Sequence, residues 1–166
     1  MYCWRAMSAA DLAHVQSIAD LVHAAHPERP AVFAERLRLH PAGCFVLGDA
    51  SGAASGAPCG YALSHPWDGP PPALDTLLGA LPATPSTFYI HDIALLPAAR
   101  GRRAATDIVA RLAEHARRQR LPSLSLIAVG GTAPVWARLG FCPDPDGDAA
   151  KLASYGAGAV QMVRKV

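Results

Sequence analysis

The sequence predicts a mixed α/β fold, and three observations carry that prediction. Residues 88–96, Phe-Tyr-Ile-His-Asp-Ile-Ala-Leu-Leu, are rich in β-branched, aromatic and leucine side chains, the composition of a strand covered on both faces. Downstream, Ala105, Ile108, Val109, Leu112, Ala113 and Ala116 recur with a helical period, and Asp107, Arg111, Glu114 and Arg118 fall on the opposite face. Between the two, Pro97 stops the strand and Arg100-Gly101-Arg102-Arg103 makes a tight basic turn. Such a turn delivers the chain to a helix N-terminus, where first-turn amides lack intrahelical acceptors and the helix dipole favours an anion.

The other elements follow in chain order. Residues 2–7 read as a first strand with Tyr2 and Trp4 on one face. Ser8 then caps a helix, with Asp11 completing a short capping box and Leu12, Val15, Ile18, Ala19 and Val22 as the apolar stripe, up to Pro27. Pro30 suits the first turn of a second helix, which Phe33, Arg36, Leu37 and His40 continue to Pro41. Residues 44–49 and 60–65 are the second and third strands, joined over 51–58 by a Gly/Ser/Ala-rich loop expected to be mobile.

Over 66–86, Pro66, Pro70, Pro71, Pro72, Pro82 and Pro85 forbid a continuous element, although 74–78 can form a helical turn or two. A loop of this length can fold over a binding site. Pro122 breaks the chain after the long helix, and 124–129 make the fifth strand. Thr132 and Pro134 open a short helix that reaches Leu139 and is closed by Gly140. Residues 144–148, Asp-Pro-Asp-Gly-Asp, form a turn without the ligand spacing of a calcium loop, and 159–166 close the sheet.

At 166 residues, with 51% hydrophobic and 17% charged side chains, the chain reads as a single folded domain and not as a disordered segment. The net charge of +2 is too small, and its arginines too local, to call for nucleic acid. No apolar run approaches the ~20 residues that a bilayer requires, so no membrane partner is expected. Cys3, Cys44, Cys59 and Cys142 form no C-x-x-C pair and no secretory leader is evident, so reduced thiols in a cytoplasmic protein are the expectation. His23 and His26 have metal-compatible spacing but no third ligand, and no metal is expected.

Two motifs carry a resemblance. Residues 97–105, Pro-Ala-Ala-Arg-Gly-Arg-Arg-Ala-Ala, resemble the acyl-CoA-binding motif of the GCN5-related N-acetyltransferase superfamily: Gln or Arg, two residues, Gly, one residue, then Gly or Ala. Arg100 and Ala105 match its ends. Arg103 stands where the family usually has glycine, and a place in the first helical turn would spare it a positive φ. Residues 133–141, Ala-Pro-Val-Trp-Ala-Arg-Leu-Gly-Phe, are similar to the family's second motif, a short helix ending in Leu-Gly-Phe. The resemblance implies a splayed, mainly antiparallel sheet of about six or seven strands flanked by about four helices. It also implies acetyl-CoA as co-substrate. Its diphosphate would rest on the amides of Gly101, Arg102, Arg103, Ala104 and Ala105, helped by the side chains of Arg100, Arg102 and Arg103. The pantetheine arm would pair with the strand edge at Ile93, Ala94 and Leu95, and Trp136 would border the cofactor.

The implied activity is direct transfer of an acetyl group to a primary amine of a small molecule or peptide, with the first two helices forming one wall of the acceptor cleft. An alkyl ammonium, with a pKa of roughly 10, must first lose a proton, so a base is needed. The oxyanion needs a fixed donor, such as a main-chain N–H near Ile93, and the leaving thiolate needs a proton or an orienting dipole. His91 and Asp92 are the candidates on the strand itself. Adjacent strand residues point to opposite faces, so only one of them is expected to enter the cleft. His65 would lie beside them if the third and fourth strands pair. Trp136 stands where relatives often carry an acidic tyrosine, and an indole N–H cannot serve as that acid, which leaves Tyr155 as its substitute. A coenzyme A-binding domain without transferase activity is the alternative. Oligomeric state, a homodimer included, is left open.

Overall fold

The computed structural model describes residues 2–49 and 56–166, so most of the loop expected over 51–58 lies outside the described residues. Its strands form one seven-stranded sheet: β1 (Tyr2–Ala6), β2 (Cys44–Asp49), β3 (Gly60–Trp67), β4 (Thr87–Leu95), β5 (Ser123–Ala128), β6 (Cys142–Pro143) and β7 (Val160–Lys165), in the order β1-β2-β3-β4-β5-β7-β6. Every neighbouring pair is antiparallel except β4 with β5. Four α-helices flank it: α1 (Leu12–Val22), α2 (Pro30–Leu39), α3 (Ala104–Arg118) and α4 (Ala133–Arg138). This is the splayed, mainly antiparallel architecture that the motifs imply.

Strand alternation sorts the core into two layers. Leu47, Ala62, Phe88, Leu124 and Leu126 pack against Ile108, Val109, Leu112 and Ala116 of α3. Val46, Tyr61, Leu63 and Ala94 pack on the other side against Val15, Ile18 and Ala19 of α1 and Phe33 of α2. Each fully buried aliphatic side chain contributes about 1.5–3 kcal/mol. Trp4 fastens the long helix to the first strand by donating its indole N–H to Ala104 O at 2.9 Å, and Arg111 Nη1 donates to Trp4 O at 3.2 Å.

Several boundaries differ from the sequence expectation. β3 runs through Pro66 to Trp67, beyond the end of its pairing with β2 at Leu63, where a proline is better tolerated than between two paired neighbours. The stretch at 74–78 makes a turn with Asp75 at φ +56° and no helix. Residues 149–155, given no element by the sequence, wind into a 3-10 turn that carries Tyr155. The long helix begins at Ala104, which leaves Arg103 outside it as the N-cap, at φ +62°. Arg103 therefore does adopt the left-handed conformation, at the position where glycine would hold it without strain.

β4 carries an irregularity that decides the site. Leu63 pairs with Asp92 and the next β3 residue, Ser64, pairs with Ile90, so His91 is an extra residue on β4. Phe88 and Ile90 point to the α3 layer before this bulge, and Ile93 and Leu95 point to it afterwards. The bulge shifts the alternation by one, so His91 and Asp92 both project to the α1–α2 side. The expectation that only one of them could enter the cleft is corrected by this extra residue.

Candidate active site

β4 and β5 are paired only at Phe88–Leu124 and Tyr89–Ser125, after which the strands diverge. The gap opens into a cavity of about 570 Å³, lined by Ile93 and Leu95 on one strand and by Leu126 and Ile127 on the other. Its volume is that of a cofactor or small-molecule pocket, roughly 300–1,000 Å³. Trp136 of α4 also lines it, its ring edge-on to Phe141 with centroids 5.6 Å apart. Ala94 is turned away into the α1-side core, so at that position only the backbone faces the gap.

The basic turn lies at the mouth of the cavity. Gly101 has φ +71° with open space where a Cβ would stand, and Arg103 is exposed. The first intrahelical bond of α3 is Asp107 N–H to Arg103 O at 2.9 Å, so the amides of Ala104, Ala105 and Thr106 have no acceptor within the helix. Arg100 and Ala105 line the cavity, and Arg100 Nε donates to Leu95 O at 3.1 Å, which ties the turn to the end of β4. The Arg102 guanidinium instead lies over the Tyr2 ring, 5.5 Å from its centre, so it does not reach toward the amides. An open turn with free amides, an exposed arginine and a splayed strand edge fits a diphosphate followed by an extended amide-bearing arm.

The other end of the cavity holds two histidine–carboxylate pairs. His91 Nε2 lies 3.0 Å from Glu28 Oε1, with side chains only 2% and 7% exposed. Because the carboxylate can only accept, Nε2 carries the proton, and the lone pair of the neutral ring falls on Nδ1. Nδ1 is buried and has no partner among the described residues. Asp92 Oδ1 lies 2.8 Å from His23 Nε2, and Asp92 Oδ2 accepts a short hydrogen bond from the Tyr61 hydroxyl. Burial pushes the Asp92 pKa up, but the hydrogen bond and charge of His23 outweigh it, and the pKa falls below the usual carboxylate range. For His23 burial pulls down while Asp92 and Glu28 push up, and the net shift is upward.

Two other candidates are placed differently. His65 is fully buried, packs against the rings of Trp67 and Tyr89, and does not line the cavity. Its Nδ1–H donates to Pro66 O at 3.0 Å, and burial pulls its pKa to about 3, so it cannot take a proton from an acceptor near neutral pH. Tyr155 does line the cavity, but its hydroxyl donates to Pro72 O at 2.7 Å, and burial raises its pKa to about 12. Its proton is committed to that carbonyl.

Glu28, His23 and Tyr61 are the site residues that sequence reasoning missed. Glu28 lies in the connection between two helices, where nothing in the sequence distinguishes it from a solvated charge. His23 was visible only as half of an incomplete metal pair. In the structure it serves Asp92, while His26 donates Nε2–H to Tyr155 O at 3.0 Å.

A search of curated proteins by sequence gives no match. Among solved structures, the chain is similar to a GphF GNAT-like decarboxylase in complex with isobutyryl-CoA (TM-score 0.75, 14% identity, 98% of this chain and 98% of that one). It is also similar to a chain of the NatC complex bound to Gag peptide and CoA (0.74, 13%, 99% and 98%). A third is the ribosomal-protein-S18-alanine N-acetyltransferase from Escherichia coli (0.64, 16%, 100% and 94%). At these identities the likeness is one of fold. A family model, that of the Acetyltransferase (GNAT) family, matches residues 11–141, most of the chain, and with the splayed β4–β5 gap and the amide-bearing turn this establishes that the chain belongs to the GNAT acetyltransferase family.

Proposed function

We propose that the protein is an acetyl-CoA-dependent N-acetyltransferase that moves an acetyl group directly to a primary amine, with His91 as the general base. One observation carries this reading: a single cavity joins the β4–β5 gap to the Glu28–His91 pair. Bound acetyl-CoA would supply an activated acyl carbonyl. The turn at Arg100–Ala105 would hold its diphosphate, and the free edge of β4 near Ile93 would orient its arm.

The chain's own groups would do the rest. An amine entering the acceptor end loses its proton to His91 Nδ1, and the resulting imidazolium is stabilised by the Glu28 carboxylate already bonded to Nε2. The nitrogen lone pair then forms the new C–N bond as the C–S bond breaks, and the departing sulfur takes up the proton that balances the reaction. His23, held beside Asp92, supports a charged environment at this end, and apolar walls of Val22, Ala25, Phe33 and Leu74 exclude water. Trp136 contributes a wall and no acid.

The test combines calorimetric titration of the protein with acetyl-CoA and a thiol-release assay over a panel of amines. The expected result is binding together with acceptor-dependent release that His91→Ala abolishes. Binding with no release on any acceptor would favour a non-catalytic coenzyme A-binding domain.

A further inference from the structure

We infer that the acceptor is a small amine with an apolar body and no carboxylate or phosphate, and that the cavity discriminates against amino acids and polypeptide chains. This inference rests on the transferase reading above and deepens it by naming the acceptor.

Charge disfavours an anion on the acceptor. The acceptor end, where the C-terminus of α1, the α1–α2 connection and the β4 bulge meet, presents the carboxylates of Glu28 and Asp92. The imidazoles nearest to them are already engaged, His91 with Glu28 at 3.0 Å and His23 with Asp92 at 2.8 Å. His26 directs its Nε2–H to the Tyr155 carbonyl. Among the described residues the cavity lining includes one arginine, Arg100, and no lysine, and Arg100 is bonded at the opposite end to Leu95 O. An acceptor carrying an anion beside its amine would bury that anion next to two carboxylates, where among the described residues no arginine or lysine lines this end of the cavity and the imidazole pushed toward its charged form, His23, is already held by Asp92. Like charges brought together away from water repel strongly, and an unpaired buried charge is costly. The remaining wall, Ala19, Val22, Ala25, Phe33 and Leu74, offers only hydrocarbon.

Hydrogen bonds also tie three segments into a roof. Arg29 grips Asp75 three times, with its backbone N–H on Oδ1 at 2.8 Å, Nε on Oδ2 at 2.9 Å and Nη2 on the carbonyl at 3.0 Å. Asp75 N–H donates to Glu28 Oε2 at 3.0 Å, and Leu74 N–H to Ser154 Oγ at 3.0 Å. Tyr155 reaches Pro72 O at 2.7 Å. These bonds draw the α1–α2 connection, the proline-rich loop and the 3-10 turn at Ala149–Tyr155 together above the acceptor end. Beneath them the side chains of Glu28 and His91 are almost wholly buried, so the reacting amine must sit inside, and the roof narrows the space left for a trailing chain.

Matched pairs that differ only by a carboxylate test the idea: phenethylamine against phenylalanine and tryptamine against tryptophan, with a free N-terminal tetrapeptide alongside. The purified protein is assayed with acetyl-CoA, and its cofactor affinity is measured separately. Each amine is expected to exceed its amino acid in kcat/KM by about tenfold or more, with the peptide lowest. Ala25→Arg places a cation on this wall at an exposed position, and it should narrow the amine-to-amino-acid ratio. Amino acids used as well as their amines, or the peptide used best, would overturn the inference. Cofactor binding without turnover of any member would overturn it too while leaving the coenzyme A site standing, whereas failure to bind acetyl-CoA would remove the transferase reading itself.

Discussion

In the proposed reaction His91 is the residue on which the chemistry turns, and two substitutions separate its own role from that of its partner. His91→Ala should lower kcat by roughly 10²–10⁴-fold, the usual contribution of a positioned base. Glu28→Gln keeps an oxygen that can accept from Nε2 but removes the charge that stabilises the imidazolium, so kcat should fall while the KM for acetyl-CoA holds; steady-state kinetics on both variants checks this. Asp92 makes a different prediction. Because its hydrogen bond and charge are what raise the His23 pKa against burial, Asp92→Asn should move the His23 titration midpoint, read by proton NMR, to lower pH. An unchanged midpoint would dissociate the pair. His91 and Asp92 could be picked from the sequence because they interrupt an otherwise apolar strand. That both face one cavity could not, since a bulge is set by the register of two strands and leaves no mark on either alone. Glu28 was illegible for a similar reason, being a loop carboxylate whose partner is 63 positions away in the chain.

At the scale of elements, the strand–turn–helix unit was legible because hydrophobic periodicity and the Pro97 and Gly101 breaks are local signals. The conformation of Arg103 was not, since its left-handed φ of +62° depends on where the helix starts, and that start is fixed by Trp4 bonding to Ala104 O from β1. Arg103→Gly should therefore raise the thermal midpoint by the equivalent of up to about 1 kcal/mol, through relief of strain offset in part by unfolded-chain entropy. Calorimetry decides it, and a clear loss would contradict the strained assignment. The proline-rich loop read as irregular, and it is. What holds it is non-local: Glu35 accepts the Leu78 and Gly79 amides at 2.7 and 2.9 Å and pairs with Arg36, whose guanidinium is fully buried and also donates to Thr76 O. Glu35→Ala would leave that guanidinium buried without its carboxylate and free two loop amides, at a cost of about 3–5 kcal/mol. Urea unfolding together with proteolysis across residues 68–86 would register both effects, and a variant with native stability and protection would show that Arg36 is neutralised otherwise.

For the whole molecule, the same sheet that builds the site sets how the fold responds to acid. His65 is held uncharged on β3 at the centre of the sheet, between the rings of Trp67 and Tyr89, and His40 is pulled down to about 4 by burial and by the charge of His115, whose ring stands 5.3 Å away. Both shifts are downward for bases, which fixes the sign. Above pH 6.5 neither state binds the proton and there is no effect. Below it the unfolded chain takes up protons that the folded chain refuses, so stability falls as pH drops from the unfolded value toward the folded one, and then levels. For His65, folded at about 3, the slope approaches about 1.4 kcal/mol per pH unit across that window. Asp11, lowered by its hydrogen bonds with Arg5 in opposition to burial, adds a loss in the same direction at still lower pH, where its carboxylate protonates. A thermal scan from pH 6.5, below which the raised His23 no longer adds a change, to pH 4 should therefore show a midpoint that falls steadily with acid. His65→Asn keeps a donor for Pro66 O and removes the titration, so its midpoint should start lower at pH 6.5 and fall less steeply below it. Parallel curves for the two proteins would mean that the imidazole is reached by solvent and protons without unfolding, and the closed packing of the sheet centre around it would have to be abandoned.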